Sequence, residues 1–97
     1  MKKQQVLDFL TDQFPEISDR FGVQRLALFG STVRDEAQPD SDIDILVEFV
    51  GKADSMRYFG LLFYLEDQLD RPLDLVTDKA LRPELRSFIE QEAIYVP

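Results

Sequence analysis

Gly30 and Ser31 are followed, after ten intervening residues, by Asp42-Ile43-Asp44 at the head of an apolar run. Glycine lets backbone N–H groups approach an anion, and a turn opening a helix adds a favourable dipole, so the first pair suits a phosphate. Aspartates at i and i+2 share one face of a strand. Asp is depleted in strands, and two like charges held close repel unless a cation compensates them. Mg²⁺ prefers hard oxygen ligands, accepts one or two carboxylates and fills its shell with water and substrate phosphates. The chain has 4 Gly, 5 Ser and 12 Asp among 97 residues. At that composition the spacing arises by chance in roughly a few shuffled chains per thousand. Phosphate turn and acid pair together point to a metal–nucleotide site.

Asp74 is a third acid, set between Leu73 and Leu75 in another short apolar run. It lies either at an exposed edge or in the same cleft as Asp42 and Asp44. In the second case three carboxylates can hold two metal ions on either side of a transferring phosphoryl centre. With no histidine in the chain, Asp74 is also the best candidate to accept a proton from an attacking hydroxyl. Arg34 lies one turn after Ser31, where a guanidinium either grips phosphate oxygens with paired hydrogen bonds or pairs with Asp35 or Glu36. Asp8, Asp12, Asp19, Asp67 and Asp70 fall on helices or their ends and read as solvated faces.

The absence of Cys and His excludes cysteine nucleophiles, Ser-His-Asp triads and the usual zinc sites. A net charge of -8 with no basic stripe argues against direct binding of nucleic acid through its phosphates. No apolar run approaches the ~18 residues of a membrane span. Lys2 and Lys3 do not open a signal peptide, because Asp8 and Asp12 interrupt the segment where its apolar region would lie. The expectation is one cytoplasmic domain over 1–97, with little room for a separate acceptor-binding module.

The elements that must position these residues are set by periodicity. Val6, Leu7, Phe9, Leu10 and Phe14 have helical spacing, and Ile17 and Phe21 extend the face beyond Pro15, predicting one broken helix that ends at Gly22. Val23 to Phe29 is a short strand stopping at Gly30-Ser31, with Ser31 as N-cap of the next turn. Residues 35–41 form a polar connection. In the next strand, Ile43, Ile45, Val47 and Phe49 point to the core, while Asp42, Asp44, Leu46 and Glu48 point away from it. After a loop at 51–55, Met56 to Leu69 is a helix apolar on more than one side. It is either buried all round or covered in part by a partner helix. A strand at 73–77, a helix opening at Pro83 and carrying Leu85, Phe88 and Ile89, and an edge strand at 93–96 complete the chain.

Leu28-Phe29-Gly30-Ser31-Thr32-Val33-Arg34, Ser41-Asp42-Ile43-Asp44-Ile45-Leu46-Val47 and Leu73-Asp74-Leu75-Val76 resemble the minimal nucleotidyltransferase (MNT) family of the DNA polymerase β-like superfamily. The likeness extends to Arg82-Pro83-Glu84-Leu85 and Glu92-Ala93-Ile94-Tyr95-Val96, and so spans nearly the whole chain. It departs at Asp35, where many members carry glycine. The resemblance implies an α/β (α+β) fold, a mixed sheet flanked by helices. It implies that Gly30 and Ser31 contact nucleotide phosphates and that Asp42, Asp44 and Asp74 hold Mg²⁺. The implied partner is a HEPN-domain toxin, bound in a hetero-oligomer, and the implied reaction is transfer of AMP from ATP to a tyrosine of that toxin. Two other activities compatible with the sequence are inhibition of the toxin by binding alone and nucleotidyl transfer to a small molecule.

Overall fold

The computed structural model describes residues 2–34 and 42–96. The polar connection expected at 35–41, with Asp35 and Ser41 in it, lies outside the described residues. The elements run α1 (Lys3–Phe21), β1 (Val23–Phe29), a 3-10 turn (Gly30–Thr32), β2 (Ile43–Phe49), α2 (Ser55–Leu69), β3 (Leu73–Thr77), a second 3-10 turn (Asp78–Ala80), α3 (Pro83–Glu92) and β4 (Ile94–Tyr95). The strands form one mixed sheet in the order β3-β2-β1-β4. β2 runs parallel to β3, while β1 is antiparallel to both β2 and β4. This is the α+β arrangement expected from the sequence.

Alternation along β2 works as predicted: Ile43, Ile45, Val47 and Phe49 are buried, and Asp44 and Glu48 are only half-buried. Leu46 shares the acidic face yet is buried too. Helix α1 contributes Val6, Leu10 and Ile17 to the core, and α2 contributes Leu61, Leu65 and Leu69, each set spaced to lie along one helical stripe. Contrary to the sequence expectation, α1 is not broken at Pro15, which sits inside one continuous helix. Pro15 is exposed, so the carbonyl it leaves unpaired faces water, and burial of Leu10 and Ile17 on either side holds the helix together.

The corner between α1 and β1 needs a glycine. Gly22 has φ +66°, its N–H bonds to Ser18 O at 2.9 Å, and a Cβ there would meet Arg57 Nη2 at 2.5 Å. Arg57, on α2, fills that space. It donates to the carbonyls of Phe21, Gly22, Val50 and Lys52 at 2.6–3.0 Å, and its guanidinium lies 4.9 Å from the centre of the Phe49 ring. One side chain therefore fastens the end of α1, the end of β2 and the loop leading to α2.

Two side chains of α2 also occupy the outer edge of β3. Tyr58 donates its hydroxyl to Leu75 O at 2.5 Å, and Glu66 accepts the Leu73 N–H at 3.1 Å. Main-chain groups of an edge strand that would otherwise invite another strand are thereby satisfied. The rest of α2 is not buried all round: Met56, Phe59 and Phe63 are exposed. Helix α3 contributes no buried residue, so its Leu85 and Phe88 lie at the surface rather than in the core. Arg86 anchors it by donating to Asp78 O at 2.6 Å.

Candidate active site

β1 ends beside the start of β2, and parallel pairing sets the start of β3 on the other side of β2. The register places Phe29 opposite Asp44, and Asp44 opposite Asp74. The last residue of β1 before the Gly30 turn and two of the three acids thus share one row across the sheet. Asp74 stands beside Asp44 on the same face of the sheet, yet it is exposed and β3 is an edge strand, so both placements open to it from sequence alone hold at once. Asp42 is exposed and lies immediately before β2.

The turn itself is pressed against this row. Gly30 has φ +78°, and a Cβ there would lie 2.0 Å from Asp44 Oδ2. Only glycine lets the backbone both turn in this sense and approach the carboxylate so closely. The Val33 and Arg34 N–H groups bond back to Gly30 O at 3.1 and 3.4 Å. Ser31 is half-buried inside this turn and does not cap a helix, since the capping position falls on Phe29. A three-residue turn sums too few peptide dipoles to act as a helix N-terminus, so any attraction for phosphate comes from nearby N–H groups and cations. Thr32 is buried, and its hydroxyl has no hydrogen-bond partner among the described residues.

Burial raises the Asp44 pKa from its ordinary 3.8 to about 6, aided by the charge of Asp74, a hydrogen bond with Asp74 and the charge of Asp42, and opposed by Arg34. Burial thus removes water that would stabilise the anion, and both carboxylate neighbours disfavour a second negative charge. Two hard oxygen donors short of positive charge, beside a backbone turn that a Cβ would block, fit a divalent cation carrying phosphates. Among the described residues no group of three or more acidic side chains is arranged to share one ion. The set in contact is therefore the pair Asp44 and Asp74.

Arg34 precedes Asp35 and Glu36, which lie outside the described residues. It forms an ion pair with Glu92 at the end of α3, while its charge also acts on Asp44. Sequence spacing does not indicate this pairing, because the partners are 58 residues apart. The same holds for the Arg57 clasp, where the only signal is an arginine in an otherwise apolar segment.

A model of the nucleotidyltransferase domain matches residues 10–96. The chain belongs to the nucleotidyltransferase domain family. Over 93 residues it is 37% identical to the protein adenylyltransferase MntA of Thermococcus cleftensis, covering 96% of this chain and 94% of that protein. A solved structure described as a minimal nucleotidyltransferase superposes with a TM-score of 0.83 at 32% identity, covering 97% of this chain and 95% of the other. At 20% identity, a chain from the complex of a tri-AMPylated Shewanella oneidensis HEPN toxin with MNT antitoxin shares the fold, with a TM-score of 0.67 and coverage of 94% and 71%. Membership of an enzyme family agrees with the activity class expected from the sequence. No helix among the described residues is long and apolar enough to cross a membrane.

Proposed function

We propose that this nucleotidyltransferase is a cytoplasmic antitoxin, acting as a single domain over residues 1–97, that transfers AMP from ATP to a tyrosine of a HEPN-domain toxin. The observation that carries the proposal is the contact of the Gly30 turn with Asp44, in register with Asp74. A phosphate-approach turn and an acid pair short of positive charge occupy one row. The Thermococcus relative's activity supports the chemistry, and the Shewanella complex supports the partner.

In the mechanism, backbone N–H groups at Gly30 and Ser31 receive the triphosphate, and Arg34 exchanges Glu92 for phosphate oxygens. Asp44 and Asp74 would hold Mg²⁺, and Asp42 at the strand head would complete a two-ion set; the metal would supply Lewis-acid stabilisation of the phosphoryl charge. The tyrosine oxygen bonds to the α-phosphorus as the bond to the β-phosphate's bridging oxygen breaks, and pyrophosphate departs. Asp74, exposed at the mouth of the site, accepts the tyrosine proton. Positioning and fixed charge provide most of the rate.

Incubating the chain with ATP labelled at the α-phosphate, Mg²⁺ and its cognate HEPN protein tests this. Label is expected on a toxin tyrosine, reduced at least about 100-fold by Asp44→Asn or Asp74→Asn. Neutralisation of the toxin without any label would establish inhibition by binding instead.

A further inference from the structure

Helix α2 buries Leu61, Leu65 and Leu69 but leaves Met56, Phe59 and Phe63 85, 48 and 62% exposed. These three residues are spaced i, i+3 and i+7, and the Phe59 and Phe63 rings stack 6.0 Å apart. They form a stripe of the kind by which one helix packs on another. Beyond Phe63 the same side of the helix continues into Glu66 and Asp67, and Asp70 caps its end; Asp67 and Asp70 are exposed. The surface is thus apolar at one end and acidic at the other.

We infer that this stripe docks an amphipathic helix of the acceptor protein. The docked helix covers Met56, Phe59 and Phe63 with apolar side chains and brings lysine or arginine to Asp67 and Asp70. Identifying the acceptor as a HEPN-domain protein rests on the function proposed above. Two observations set a basic partner ahead of a second copy of this chain. Each copy carries a net charge of -8, so self-association would bring acid to acid. The stripe offers on the order of 400 Å², about half of what one side of a standard interface buries, so it does not sustain a dimer by itself.

An acceptor obtains the remaining area at the transfer site, which lies on the other face of the sheet. Helix α2 packs over the face bearing Ile45 and Val47, whereas Asp44 points the opposite way. Holding and transfer are therefore separate, and loss of the stripe should raise the KM for the acceptor while leaving kcat and the KM for ATP unchanged.

The test uses the full chain and its cognate HEPN protein, with the double variant Met56→Ser, Phe63→Ser, chosen because these side chains are exposed. Equal melting temperatures establish that the variant is folded. Binding is expected to weaken about 30-fold. Asp67→Lys, and about 0.5 M salt with the unaltered chain, are each expected to weaken binding as well. Binding of the double variant at full strength overturns the inference, as does a dimer of the unaltered chain that the same substitutions dissociate. Should the unaltered chain bind but transfer no label, with binding still lost in the double variant, the docking surface stands and the proposed reaction falls. Intact transfer with binding unaffected by the substitutions removes the docking surface alone.

Discussion

The two faces of β2 and β3 differ in what their side chains do for the fold. On one face Ile43, Ile45, Val47, Leu73 and Leu75 are buried under α1 and α2. On the other, alternate positions of the same strands set Asp44 beside Asp74, where burial and the charge of its neighbour make ionisation of Asp44 costly. The first face stabilises the sheet, and the second holds, at some loss of stability, an arrangement no core requires. A strand's period of two lets both coexist without interference.

Deleting packing from the first face should have the largest effect. Ile45→Ala is expected to lower stability by about 3–4 kcal/mol in urea denaturation, and to impair transfer only as far as the chain unfolds. A loss below about 1 kcal/mol would mean that this face is not the source of stability. Next comes the clasp behind it: Arg57→Met removes the guanidinium from the carbonyls of Phe21, Gly22, Val50 and Lys52, of which Gly22 O keeps the Val50 N–H, and should cost about 2–3 kcal/mol. Gly30→Ala acts on the second face. Its φ of +78° and its clash with Asp44 should cost about 2 kcal/mol, and nucleotide affinity should fall in calorimetric titration even where the variant remains folded.

The smallest effect concerns Asp44 itself. Its folded-state pKa lies above its ordinary value, so its contribution to stability is greatest below about pH 4 and is lost as the pH rises through about 6. Compared with Asp44→Asn, the unaltered chain should lose about 1 kcal/mol between those limits, once solvent screening of a half-exposed group is allowed for. Parallel stability–pH curves for the two proteins would remove electrostatic cost from this face.

Much of this division is legible in the sequence. Ile43, Ile45, Val47 and Phe49 alternate with Asp44 and Glu48, so strand and face emerge from period alone. Gly30, Ser31, Asp42 and Asp44 are marked by spacing. Asp74 stands out as misplaced in an apolar strand, but only the parallel β2/β3 register brings it to Asp44, and register is a long-range property. The continuity of α1 through Pro15 is not legible, because helix propensity carries no information about the packing that overrides it. Ser31 likewise reads as a helix cap, whereas the described chain makes one 3-10 turn there. The pairing of Arg34 with Glu92 and the four carbonyls held by Arg57 depend on where the fold brings distant segments, which no local pattern records.

If the proposed function holds, the Asp44–Asp74 face trades stability for a bound metal–nucleotide. This trade is read from the melting temperature of the unaltered chain and of Asp44→Asn at pH 7, each with EDTA and then with Mg²⁺ and ATP. With EDTA, Asp44→Asn should melt higher. With Mg²⁺ and ATP the order should reverse, because ligand binding stabilises only the chain that retains the carboxylate. If Asp44→Asn melts no higher than the unaltered chain in EDTA, or if Mg²⁺ and ATP raise both proteins equally, the claim is contradicted.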